Sequence, residues 1–186
     1  MFRKFKRKLK CILIGADADE FLIHREKSIK TKIWLLKIYH KYCCSKILYN
    51  NNAAIHDETK ILGKIIFPHG LNGILISQRA VIGKNCIIFQ QVTIGSNTLR
   101  DTNKAGAPIL GDNVYIGAGA KIIGGIKIGN NVRIGANCVV VDDIPDNCTV
   151  VMNKPKIVIH DKYKDNKFDS WAVFKKSENN IGHNTP

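Results

Sequence analysis

With 186 residues, 45% of them hydrophobic and 24% charged, the chain has room for one domain with a sizeable core and none for a second catalytic domain. It is too apolar for a disordered tail, and no stretch approaches the ~18–20 apolar residues of a membrane span. The net charge of +14 would by itself suggest a nucleic acid, an anionic membrane or an acidic small molecule as partner, but +9 of it falls in residues 1–50, +4 in 51–160 and +1 in 161–186.

In chain order, Phe2, Phe5, Leu9, Ile12 and Leu13 share one helical face, with Arg3, Lys4, Lys6, Arg7, Lys8 and Lys10 around the rest. This is the pattern of an interfacial basic helix, so a peripheral membrane contact through residues 1–13 is one expectation and a solvated positive face is the other. The apolar run from Cys11 to Ala16 is shorter than a signal-peptide core and meets Asp17, Asp19 and Glu20, which argues against secretion. The six cysteines form neither a CxxC pair nor a Cys/His cluster. No metal site and no disulfide framework are therefore expected, and a reducing cytoplasm fits. Ile29, Ile33, Leu36, His40, Cys43 and Ile47 follow helical spacing and predict one amphipathic helix over roughly 28–49.

From residue 55 the period changes to six. The anchors are Ile55, Ile61 and Phe67, then Ile76, Ile82, Ile88 and Ile94, then Leu110, Ile116, Ile122, Ile128, Ile134 and Val140. Four positions after an anchor comes a second apolar residue: Ala80, Cys86, Val92, Val114, Ala120, Ile126, Val132 or Cys138. Six fits neither the helical nor the simple strand period; it predicts a parallel β-helix in which three hexads close a coil of 18 residues. Glycine follows six of the anchors, as expected if it supplies the backbone angles of a tight corner. Cys86 and Cys138 are expected to be inert core residues. The period is broken twice, by three extra residues between Phe67 and Ile76 and by ten between Ile94 and Leu110. A solenoid usually extrudes loops on its functional face. The tail is polar, with Phe168, Trp171 and Phe174 spaced for one short helix. The expected organisation is an N-terminal helical segment 1–54, a β-helix 55–159 and a tail 160–186.

About 105 residues of this pattern resemble the hexapeptide-repeat acyltransferases, in particular their serine acetyltransferase-like branch. The resemblance rests on Phe67-Pro68-His69-Gly70, on Gln91-Val92-Thr93-Ile94-Gly95, on the run from Leu110 to Ile122, and on that from Ile134 to Val140. It implies a mainly β, left-handed parallel β-helix with a short N-terminal helical segment; general crossover rules would disfavour that hand. It also implies a homotrimer with acetyl-CoA bound between neighbouring prisms. His69 matches the family's catalytic histidine, a general base that takes the proton of an attacking hydroxyl. His56 matches a histidine that looks structural. Ala118 and Ala136, one coil apart, match positions along the pantetheine arm, and Gly95 matches a backbone contact near the thioester. The closing turn, Asn153-Lys154-Pro155-Lys156, lacks the family's glycine but offers Lys154 and Lys156 to the CoA phosphates.

Where serine acetyltransferases carry substrate-binding acids and an Arg-His pair, this chain has Ala54, Pro68, Gly106 and Ala107. Those departures, and the short segment before the repeat, resemble the short surface-polysaccharide O-acetyltransferases and imply a sugar hydroxyl as acceptor; serine acetylation for cysteine biosynthesis is the alternative. Asp57, Glu58, Asp101 or a residue of a neighbouring subunit could orient His69. A metal-dependent enzyme on the same coil needs three converging histidines, which the repeat does not supply. A non-catalytic solenoid would lack CoA affinity, and no aromatic-basic pattern or motif points to nucleic acid.

Overall fold

The computed structural model describes residues 18–164 together with 166 and 170; the expected basic helix at 1–13 and tail helix around Trp171 lie outside them. The described residues fall into two units, one ending at Asn153 and one beginning at Lys154. Among the described residues, the first unit contains all the regular structure. In the second, residues 154–164 are irregular and exposed.

The hexads form fourteen short strands, β1 (Ala54–Ile55) to β14 (Thr149–Val150), in three parallel sheets. Face A stacks β1, β4, β7, β10 and β13; face B stacks β2, β5, β8 and β11; face C stacks β3, β6, β9, β12 and β14. Every strand thus pairs with the strand one coil away, and the chain winds as a left-handed parallel β-helix. Of the thirteen anchors, all are buried except the half-buried Ile61, and the eight apolar residues four positions later are buried too. Outward neighbours such as Lys121, Lys127 and Arg133 are exposed, because strand side chains alternate.

The glycines after the anchors act differently from the expectation. None of those six has a positive φ; the left-handed corner positions belong to Asn85, Asn113, Asn131 and Asn147 on one corner and to Gly73, Gln91, Gly119 and Asn137 on another. Asparagine tolerates this region because its short polar side chain bonds locally. Here Asn113 Nδ2 donates to Asn131 Oδ1 at 3.1 Å, and Asn131 Nδ2 to Asn147 Oδ1 at 3.0 Å, a ladder along the corner. The anchor glycines instead permit close stacking of coils. A Cβ on Gly117 would lie 2.6 Å from the backbone nitrogen of Ala136, and one on Gly83 would strike the carbonyl of Gly111.

The helix expected over 28–49 is two helices, α1 (Ala18–Lys30) and α2 (Trp34–Asn50). The break falls at Thr31, whose Oγ1 accepts the Ile33 amide at 3.3 Å, a local bond that competes with helix continuation. The inward face differs as well. Of the expected face Ile47 is buried, but Ile29, Ile33 and Leu36 are exposed, and Phe21 and Cys44 are buried instead. Because α2 is apolar around most of its circumference, periodicity could not choose its inner side. The hairpin is tied to the turn after β1. Arg25 donates to the carbonyl of Thr59 at 2.5 Å, and Lys41 pairs with Asp57 at 2.6 Å.

Cys44, Cys86 and Cys138 are buried free thiols. Burial, helped by Asp57, pushes the Cys44 thiol up to about 11, and burial also raises Cys86. Since thiolate is the reactive form, a brief alkylation of the native protein at pH 8 should modify the half-buried Cys148 and leave Cys44 and Cys86 unlabelled until denaturant is added, as read by peptide mass. Equal labelling of Cys86 and Cys148 would contradict the inward register.

Candidate active site

Both breaks in the period appear as longer coils. Ile55 pairs with Ile76, 21 residues on, and Ile94 with Ile122, 28 on, against 18 from Ile76 to Ile94 and from Ile122 to Val140. The two insertions do not share a corner of the prism. The ten-residue insertion leaves the corner between faces A and B. Its ends join through Asn97 and Gly106, it rests on Gly124 and Gly125, and Lys104 reaches Asp143 at 3.3 Å. The three-residue insertion lies on the corner between faces C and A, just after His69.

On face C, Ile66 pairs with Ile87, Ile87 with Tyr115, and Tyr115 with Arg133. Three residues beyond these partners lie His69, Gln90, Ala118 and Ala136, which therefore occupy one column along the C–A corner. Backbone hydrogen bonds stitch the column: the Gln90 carbonyl accepts from the Gly119 amide at 3.0 Å, and the Ala118 carbonyl from the Asn137 amide at 2.9 Å. The structure thus brings together three residues expected to act together. Ala118 is half-buried and Ala136 exposed, and with only a methyl group each they leave a shallow ledge leading to the histidine.

His69 is exposed at the end of this ledge. Its Nδ1 lies 2.7 Å from Oε1 of Gln90, and its ring meets Phe89 edge to face at a centroid distance of 5.3 Å. Phe89 in turn contacts Tyr115 at 5.2 Å. The backbone beneath the histidine is held by Asn72, whose Nδ2 donates to the His69 carbonyl at 2.9 Å, and by the left-handed Gly70 and Gly73. Leu71, 1% exposed, plugs the insertion into the core.

The acids expected to orient the imidazole are elsewhere. Asp57 pairs with Lys41, Glu58 accepts from Gln78 Nε2 at 2.6 Å, and Asp101 belongs to the loop of the A–B corner. Gln90 and Phe89 were not singled out from the sequence. Finding them requires knowing that the insertion follows His69 in the chain, which sets its cross-coil partner 21 residues away, not 18. His56 is exposed and accepts the Glu58 amide on Nδ1 at 3.3 Å, a turn contact. Gly95 is not in the column; it closes β7 at the opposite edge of face A, where a Cβ would lie 2.9 Å from Ile123 Cδ1. Lys154 and Lys156 belong to the second unit and are exposed. Surface depressions of about 510 Å³, beside β8 and β11, and about 540 Å³, between α1 and β2–β3, are not lined by His69. No group of three or more potential metal ligands occurs among the described residues.

A left-handed β-helix of hexapeptide repeats with one oriented histidine on a corner of small residues defines the class to which this chain is comparable. Residues 107–142 match the bacterial transferase hexapeptide (six repeats) family. The chain is similar to the serine acetyltransferase of Synechococcus elongatus, 45% identical over 99 residues that cover 53% of this chain and 39% of that protein. Its fold is similar to serine acetyltransferase isoform 3 of Entamoeba histolytica in complex with cysteine, with a TM-score of 0.62 and 31% identity over 82% of this chain and 53% of the other. It is also similar to a serine acetyltransferase in complex with CoA, with a TM-score of 0.55 and 31% identity over 70% of this chain and 50% of the other. The chain spans about half the length of these structures.

These relatives overturn the expected sugar acceptor of surface-polysaccharide synthesis. Proteins 42–45% identical to this chain are named serine acetyltransferases. The expectation rested on groups that are missing at Ala54, Pro68, Gly106 and Ala107. A missing carboxylate or guanidinium is not a positive sign of a glycan, and the polar side chains at the histidine corner, Asn72, Gln90 and Gln91, lay outside that reasoning.

Proposed function

We propose that the protein is an acyltransferase that moves the acetyl group of acetyl-CoA to the hydroxyl of serine, with His69 as the catalytic base, as a serine acetyltransferase of cysteine biosynthesis. The observation that carries this reading is the oriented His69 ring at the end of the column formed with Ala118 and Ala136. A serine hydroxyl ionises far above pH 7. As its oxygen attacks the thioester carbonyl carbon, Nε2 of His69 takes the proton, an effect worth about 10²–10⁴-fold. Collapse of the tetrahedral intermediate breaks the carbon–sulfur bond, and the imidazolium returns its proton to the departing CoA sulfur. Backbone N–H groups at the corner would stabilise the oxyanion.

The ledge at Ala118 and Ala136 would carry the pantetheine arm, with Gly95 near the thioester. On one prism the histidine corner and the loop corner lie at opposite edges of face A. A homotrimer that sets one corner of one copy beside the other corner of the next would complete the cleft. Incubation with acetyl-CoA and L-serine should release free CoA thiol and yield O-acetylserine, and light scattering should give three times the chain mass. CoA alone at a hundred times its Kd should stabilise the fold by about 2.7 kcal/mol. Stabilisation by CoA without thiol release in the presence of serine would sink the acceptor assignment.

A further inference from the structure

We propose that Gln90 is the positioning residue of His69: its side-chain oxygen accepts the Nδ1 proton, fixes the Nδ1–H tautomer and so leaves the Nε2 lone pair free for the acceptor hydroxyl. The proposal rests on the reading of His69 as the base. The two atoms are 2.7 Å apart, a short hydrogen bond, and an amide oxygen can only accept. Phe89, meeting the ring at 88°, limits its rotation about the remaining axis. Gln90 is itself half-buried, and its backbone is pinned by the Gly119 amide, so the orienting group stands on the coil wall and not on a loop.

An amide in this role differs from a carboxylate in charge. A carboxylate both orients an imidazole and stabilises the imidazolium formed when the proton arrives, whereas an amide only orients. None of the ion pairs among the described residues involves His69, and the side chains in contact with it, Gln90, Phe89 and the neighbouring Asn72, carry no charge. The corner therefore orients the ring through neutral groups alone.

Gln90→Leu and Gln90→Glu test this. Gln90→Leu removes the acceptor; it should lower kcat at least roughly 10–100-fold, the range lost when the orienting partner of a metal-bound histidine is removed, with KM for serine little changed. Gln90→Glu should keep most of kcat and move the acidic limb of the kcat/KM profile upward by about one pH unit, because a nearby opposite charge favours the protonated ring. Nitrogen-15 shifts of the His69 ring in the ligand-free protein supply the readout that does not depend on activity. The wild type should show the Nδ1–H tautomer, and Gln90→Leu a mixture. An Nε2–H tautomer in the wild type, or a pH profile unmoved in Gln90→Glu, overturns the proposal. An Nδ1–H ring in a protein with no acetyl transfer to serine supports the positioning role and counts against the function instead.

Discussion

Replacing His69 by alanine should lower kcat for acetyl transfer about 10²–10⁴-fold, the range lost when a positioned base is removed, and leave CoA binding and folding close to wild type. The expectation of a purely kinetic defect follows from where the ring sits. His69 is exposed, its polar contact is to the exposed side of the coil wall, and the core beneath it is filled by Leu71, which the substitution leaves in place. The edge-to-face contact with Phe89 is the main stabilising interaction lost, worth about 0.5–1.5 kcal/mol. His56→Ala is the control. That histidine accepts a turn amide on the A–B corner, so its loss should cost little activity. Comparable kcat losses in the two variants, or full activity in His69→Ala, would remove the base from the C–A corner.

The repeat was readable because each coil must bury the same two side chains per hexad, and the anchors from Ile55 to Val140 carry that demand in their spacing. Insertion lengths were readable for the same reason, since a strand must return to register after an excursion of any size. Which side of the insertion His69 takes is not a matter of period. It decides whether the side chain one coil on is Ile87 or Gln90, and so the orienting group stayed hidden although both residues were in plain view. Ala118 and Ala136 were legible together because no insertion separates them. The glycines were seen but assigned the wrong constraint: a missing Cβ serves a positive φ and a close approach equally well, and only the distance from Gly117 to the next coil separates the two. Around α2 the difficulty was an excess of signal. With Trp34, Leu35, Leu36, Ile38 and Tyr39 in near succession, several faces are apolar, and the buried one was settled by what the hairpin must cover on the first coil.

The core supplies the second large effect. Ile122 is fully buried in β10, stacked in face A between Ile94 on one side and Val140 on the other. Truncation to alanine there should cost about 2–5 kcal/mol, a large part of the roughly 5–15 kcal/mol by which a domain is usually stable. The upper part of that range is expected because the site cannot collapse. Its neighbours above and below are held by the parallel ladders, and coils that already touch at Gly117 and Ala136 have no slack to move inward. Ile122→Val, which removes one methylene, should cost about 0.5–1.5 kcal/mol. Lys121→Ala, one residue earlier on the outward side of the same strand, should stay within about 0.5 kcal/mol of wild type. Denaturant titrations of the three variants would give this ordering as shifts in midpoint at constant slope. If Lys121→Ala proved as damaging as Ile122→Ala, the alternation of inward and outward residues on face A would be reversed. The column that places His69 beside Gln90 depends on the same continuous register, so it would fall with that alternation.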